Sequence, residues 1–112
     1  MQLQTAELDD GVLKIELSGR MDVDGALAVD EPFRRAVAGK KHVVVDLAGV
    51  DYLASLGIRT LVVGAKSAAQ LGGKLVVMAP QRNVEKVLRE SNIDTLIPII
   101  RDAEDVGMVF GL

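Results

Sequence analysis

Val43-Val44-Val45-Asp46-Leu47 is an apolar run with Asp46 its one polar residue, and a long patterned stretch follows it. From Leu56 to Leu71, Ile58, Leu61, Val62, Ala65, Ala68 and Ala69 fall on one stripe, with Lys66, Ser67 and Gln70 on the other side. Gly72-Gly73 then leads into a second apolar run, Leu75-Val76-Val77-Met78-Ala79, which Pro80 closes. A run without polar alternation is the pattern of a strand covered on both faces. A stripe at helical spacing marks an amphipathic helix. A glycine past the last turn takes the left-handed conformation at little cost, so Gly72-Gly73 ends that helix. Two buried strands joined by one helix predict parallel pairing with a right-handed crossover.

The flanking segments extend this pattern. Leu13, Ile15 and Leu17 alternate with Lys14 and Glu16, as in a strand with one wet face. Leu3 to Leu8 is a weaker strand, joined to it through Asp9-Asp10-Gly11, a hairpin signal. Gly25 to Gly39 carries Leu27, Val29, Phe33, Ala36 and Val37 at helical spacing. Pro32 lies within it, so this helix either starts late or is kinked there. Val84, Val87 and Leu88 mark a third helix, with Ser91 near its end, and Ala103, Val106 and Phe110 a terminal one. Ile97-Pro98-Ile99-Ile100 is a short strand that its proline places at an edge. The expected order is β-β-α-β-α-β-α-β-α, an α/β fold. Its mixed sheet has about five strands with about four helices, in a single domain over residues 1–112.

Composition narrows the function. The chain has 112 residues, no cysteine and a formal net charge of −3. Without cysteine there is no disulfide scaffold, thiolate metal site or cysteine nucleophile. The acidic balance argues against nucleic acid as a partner. Phe33, Tyr52 and Phe110 are too few for base stacking. No apolar run reaches the ~20 residues of a membrane helix, so no direct membrane insertion is expected. The N-terminal residues lack the basic-then-apolar order of a signal peptide, so the expected location is cytoplasmic.

An enzyme reading finds little support. Ser55 has no evident base, since the single His42 opens a buried strand and reads as a strand-edge residue. Asp9-Asp10 and Asp22-Asp24 have no His or Cys beside them for a metal, and no phosphate-binding loop sequence exists, so no cofactor is expected. Arg34, Arg35, Lys40 and Lys41 can be read as a phosphate patch; opposing the negative end of a helix dipole is the favoured reading. Ser55 stands where an N-cap belongs, its hydroxyl accepting from a first-turn N–H. Gly57 costs that helix ~1 kcal/mol relative to alanine and clears the surface for a partner backbone. Asp22 and Asp24 read as turn residues or a helix cap. Asp46 reads as a hydrogen-bond partner of the turn after it. Tyr52 and Leu53 are either partner anchors or core, with Leu53 assigned to the core.

The same segments carry a resemblance. Asp46-Leu47 followed by Ala54-Ser55-Leu56-Gly57 resembles the signature of STAS domains of the anti-sigma factor antagonist type, in which a strand ends in Asp-Leu and a short loop leads to Asp-Ser-Ser-Gly. Gly19-Arg20-Met21-Asp22 resembles the family's Gly-x-Leu-Asp. Gly72-Gly73-Lys74-Leu75, the third helix and Ser91-Asn92-Ile93 also resemble family segments, so almost the whole chain is covered. Ala54 replaces the usual aspartate and Leu56 a frequent second serine.

The resemblance implies a protein-binding switch. Ser55 would be phosphorylated by a serine kinase that is also an anti-sigma factor. The unphosphorylated form would bind that partner, and a serine phosphatase would reset it. Asp22, Asp24, Ala54, Leu56, Gly57 and Arg59 would form the partner surface. Two rivals stand beside this reading. One is a non-phosphorylated STAS subunit of a membrane lipid-transport ABC complex, for which Leu56 would enlarge an apolar docking patch. The other is a small-molecule or nucleotide sensor using a cleft near Asp22 and Ser55.

Overall fold

The computed structural model describes residues 1–112. Its elements are β1 (Gln2–Glu7), β2 (Leu13–Met21), α1 (Val23–Val37), β3 (His42–Leu53), α2 (Ser55–Gln70), β4 (Lys74–Met78), α3 (Arg82–Glu90), β5 (Ile99–Ile100) and α4 (Asp105–Phe110). The sheet runs β1-β2-β3-β4-β5. β1 is antiparallel to β2 and every other neighbouring pair is parallel. This is the mixed sheet and the element order that the hydrophobic periods predict. The hairpin closes as Leu8 N–H donates to the Val12 carbonyl at 2.8 Å, with Asp10 and Gly11 both at positive φ.

Strand alternation divides the core in two. Leu13, Ile15, Leu17, Val43, Val45, Leu47, Leu75 and Val77 face the side covered by α1, α2 and α3. Val44, Val76, Met78 and Ile100 face the other side, under Val106 and Phe110 of α4. His42 stacks on Phe110 at 4.8 Å between ring centres, a packing role at the start of its strand. α2 comes close to α1 because of Gly64. A Cβ there would lie 2.7 Å from Phe33 Cε1 and 2.8 Å from Leu75 Cδ1.

Three expectations change. α1 starts at Val23 and runs through Pro32, so the late start does not occur. Pro32 is exposed, and its missing N–H falls on the solvent side. Ala69 lies outside the α2 stripe and is exposed, whereas Gly57, Thr60 and Gly64 are buried. The largest change is in β3, which does not end at Leu47 but continues to Leu53. Its register against β2 shifts between Glu16 and Ser18, whose partners are Asp46 and Gly49, and again between Gly19 and Arg20. Asp46 Oδ1 accepts from Ala48 N–H at 2.9 Å, so its local hydrogen bond forms within a bulged strand rather than a turn. β4 stops opposite Asp46, which leaves the rest of β3 without that neighbour. Side-chain amides serve there instead: Gln81 Nε2 donates to the Ala48 carbonyl at 2.9 Å and Asn83 Nδ2 to the Asp51 carbonyl at 2.7 Å.

Three of the four residues of the basic cluster are paired within the chain. Arg34 meets Asp30 at 2.9 Å, Arg35 meets Glu31 at 2.6 Å, and Lys40 reaches Glu7 at 2.8 Å. The first two pairs are one helical turn apart with the acid first, the favourable order against the dipole.

Candidate partner-binding site

The long β3 delivers the site. Met21 and Leu53 are register partners at the ends of β2 and β3, and Ala54 N–H donates to the Met21 carbonyl at 2.9 Å. The next residues on each side open α1 and α2. The two helix N-termini therefore emerge beside each other, which places the Asp22 loop next to the serine-bearing loop as the resemblance implies.

Their caps differ. Asp22 is the N-cap of α1, and its Oδ1 accepts from Gly25 N–H at 2.8 Å. Gly25 is required there, because a Cβ would sit 2.1 Å from the Arg20 carbonyl oxygen. Arg20 Nε lies 3.3 Å from Asp22 Oδ2, and its guanidinium covers the Tyr52 ring at 4.0 Å. Tyr52 is exposed in this contact, whereas Leu53 is core. At α2 the N-cap is Ala54, not Ser55, and no side chain caps the helix. Ser55 is the first helical residue and is exposed, and α2 has no acidic residue in its first turn. Ser55 is thus one position too late to cap, and its hydroxyl faces solvent.

The remaining predicted residues divide. Asp24 is exposed in the first turn of α1, Arg59 is exposed on α2, and Leu56 is half-buried. Gly57 points inward. A Cβ on it would lie 2.7 Å from Leu53 Cδ1 and 2.9 Å from Met21 Cγ. The glycine admits the core beneath the loop, and the expected clearance for a partner backbone is corrected by this geometry.

A groove of about 290 Å³ runs between α1 and α2, and Leu27, Leu56, Arg59 and Val63 are among the residues lining it. Asp22 and Ser55 do not line it, which separates this cleft from the one expected for a small molecule. Leu27, read at helical spacing with Val29 and Phe33, is 61% exposed, and Val63 is 39% exposed. The signal for Leu27 was present in the sequence. Ala26, Val29, Phe33 and Val37 form the true stripe, and at about 100° per residue Leu27 falls well off its centre. Val23, also exposed, extends the apolar surface at the start of α1.

The strongest ionic cluster lies elsewhere. Arg101 donates to both oxygens of Glu85, at 2.5 and 2.6 Å, and Arg89 Nε donates to Glu85 at 2.8 Å. The Arg101 hydrogen bonds, then that of Arg89, hold the Glu85 carboxyl down to about 2. The same contact with Glu85 raises the Arg101 guanidinium.

The family described as "Mlab, STAS domain" matches residues 5–99. The chain belongs to this STAS family, and its relatives are of the anti-sigma factor antagonist type. BtrV of Bordetella bronchiseptica, whose name proposes an anti-sigma factor antagonist, is 28% identical over 107 residues, 95% of this chain and 92% of BtrV. A Thermotoga maritima protein assigned the same role superposes with a TM-score of 0.88 at 18% identity, covering 98% of this chain and 95% of that one. The unphosphorylated anti-sigma factor antagonist SpoIIAA gives 0.81 at 15% identity over 99% and 98% of the two chains. Its phosphorylated form from Bacillus gives 0.72 at 14% identity over 96% and 99%. No helix here is long and apolar enough to cross a membrane.

Proposed function

We propose that this chain is a cytoplasmic anti-sigma factor antagonist that works by reversible protein binding, with Ser55 as its phosphorylation switch. One observation carries the reading. Ser55 is exposed at the start of α2 without a capping role, next to Leu56, which lines the groove between α1 and α2. The family membership and the phosphorylated form of SpoIIAA support it. The partner is a serine kinase that is also an anti-sigma factor, and a serine phosphatase reverses the modification.

The physics favours a change of surface over a change of fold. A phosphate adds about −1.5 to −2 charges at neutral pH. At the first residue of α2 it meets free N–H groups and the positive end of the dipole, a gain of roughly 0.3–1 kcal/mol. Arg59, four residues on, adds a cation on the same helix. The helix is therefore stabilised while a partner that buries Ser55, Leu56 and Leu27 must desolvate a dianion. Asp22, Asp24 and Ala54 complete the rim of that contact, and Gly57 supports it from within.

The test is capture of partners from native lysate by wild type, Ser55→Asp and Ser55→Ala. A serine kinase held by wild type and Ser55→Ala, and weakened about tenfold or more by Ser55→Asp, supports the switch. Equal capture of a kinase by all three variants removes Ser55 from it. A second reading, docking to a lipid-transport complex without phosphorylation, draws on the exposed Leu27 and Val63. It expects a transporter subunit held equally by all three.

A further inference from the structure

The two edges of the sheet are built differently. β5 is two residues long and follows Pro98. β1 has six residues, exposed at all positions but Leu3, and pairs with β2 without a register break. It contains no proline, lysine or bulge, the devices that usually blunt a free edge.

The hairpin fixes which backbone groups on β1 are free. Leu8 N–H donates toward Val12, so alternate residues Ala6, Gln4 and Gln2 also turn their N–H and C=O toward β2. Leu3, Thr5 and Glu7 therefore aim theirs away from the sheet.

We propose that β1 is a self-association edge, pairing antiparallel with β1 of a second copy about a two-fold axis at Thr5. A second copy fits because the edge is complementary to itself. With Thr5 opposite Thr5 and Leu3 opposite Glu7, all three outward-facing residues pair, and each pair exchanges two N–H···O bonds. Thr–Thr is a stabilising cross-strand pair, and no like charges face each other. Centring on Glu7 would oppose two carboxylates and leave Leu3 unpaired. Centring on Leu3 would leave Glu7 unpaired. Lys40, 2.8 Å from Glu7, already balances the only charge on the strand. The two sheets join as one, with the Ser55 ends pointing in opposite directions. This pairing does not depend on the switch reading.

Sedimentation of the full chain from micromolar to millimolar concentration tests it. Thr5→Pro removes an outward N–H and leaves the β1–β2 ladder intact. Thr5→Lys sets two ammonium groups opposite each other. Wild type is expected to move toward twice the monomer mass with concentration, and both variants to weaken association about tenfold or more. Circular dichroism reports whether Thr5→Pro folds; Thr5→Lys changes only an exposed side chain and decides the matter if it does not. The chain has no cysteine, so Thr5→Cys can be oxidised only to a linked pair of copies. The Cα separation of a bonded antiparallel pair, about 5.5 Å, lies within disulfide range. Thr5→Cys should cross-link well ahead of Lys86→Cys, a control on exposed α3. A wild type that stays monomeric, association unchanged by Thr5→Lys, or equal cross-linking at both positions overturns the proposal.

Discussion

The start of α2 and the Glu85 cluster beside β5 treat their polar groups in opposite ways. Near β5, Glu85 is held by Arg101 and Arg89, and Arg89 also meets Asp94 at 3.3 Å. These charges are answered by one another within the chain. At the α1/α2 end, α2 begins without a side-chain cap, Ser55 is exposed, and Leu27 and Val63 stand in solvent. Groups satisfied within the fold serve stability, and groups left open are available to something else. The contrast separates a structural cluster from the surface proposed for a partner.

The comparison can be broken most severely from beneath the open end. Phe33 is fully buried against Gly64, under the groove. Phe33→Ala should cost about 3–5 kcal/mol in denaturant unfolding, as a large core truncation does. A much smaller loss would mean that α1 is not held by this contact.

Leu27→Asp should do the reverse. It is expected to weaken partner capture by about 1–3 kcal/mol, the range of an interface anchor, while changing stability by about 0.5 kcal/mol or less. A large stability loss would return Leu27 to the core and dissolve the contrast.

Ala54→Asp sharpens it further. Ala54 holds the N-cap position without a capping side chain, and the residue usual in this family would supply one. A gain of about 1 kcal/mol is expected in thermal or denaturant unfolding. The same variant, incubated with the captured kinase, shows whether the aspartate also improves phosphorylation of Ser55.

The smallest effect belongs to the closed end. The Glu85 carboxyl is lowered from 4.5 to about 2 in the folded chain, so its stabilising contribution is complete above pH 4.5 and is lost as pH falls toward 2. Glu85→Gln should flatten that acid limb of the stability curve, and at neutral pH should cost only about 1 kcal/mol or less, as exposed ion pairs do. An unchanged acid limb would show that the cluster is not what titrates there.

Much of this was legible in the residues themselves. Hydrophobic period is a local property, so Val43–Leu47, the α2 stripe and Leu75–Ala79 disclosed the alternation of strand and helix. Hairpin chemistry at Asp9-Asp10-Gly11 disclosed the antiparallel pair, and the proline before Ile99 disclosed one edge of the sheet. Asp22 was legible as a cap; Ser55 was legible at the start of a helix, but as its N-cap, one position from where it lies.

The rest required neighbours. Whether β3 stops at Leu47 depends on its pairing with Ser18–Met21 of β2 and on donors from Gln81 and Asn83, all distant in the chain, and no local pattern carries that. Whether Gly57 faces a partner or Met21 depends on how two strand ends meet. The sequence by itself determined which elements form and in what order, since those follow from interactions a few residues apart. Only the tertiary structure decided which apolar side chains remain uncovered beside Ser55, because that depends on where α1 and α2 leave space between them.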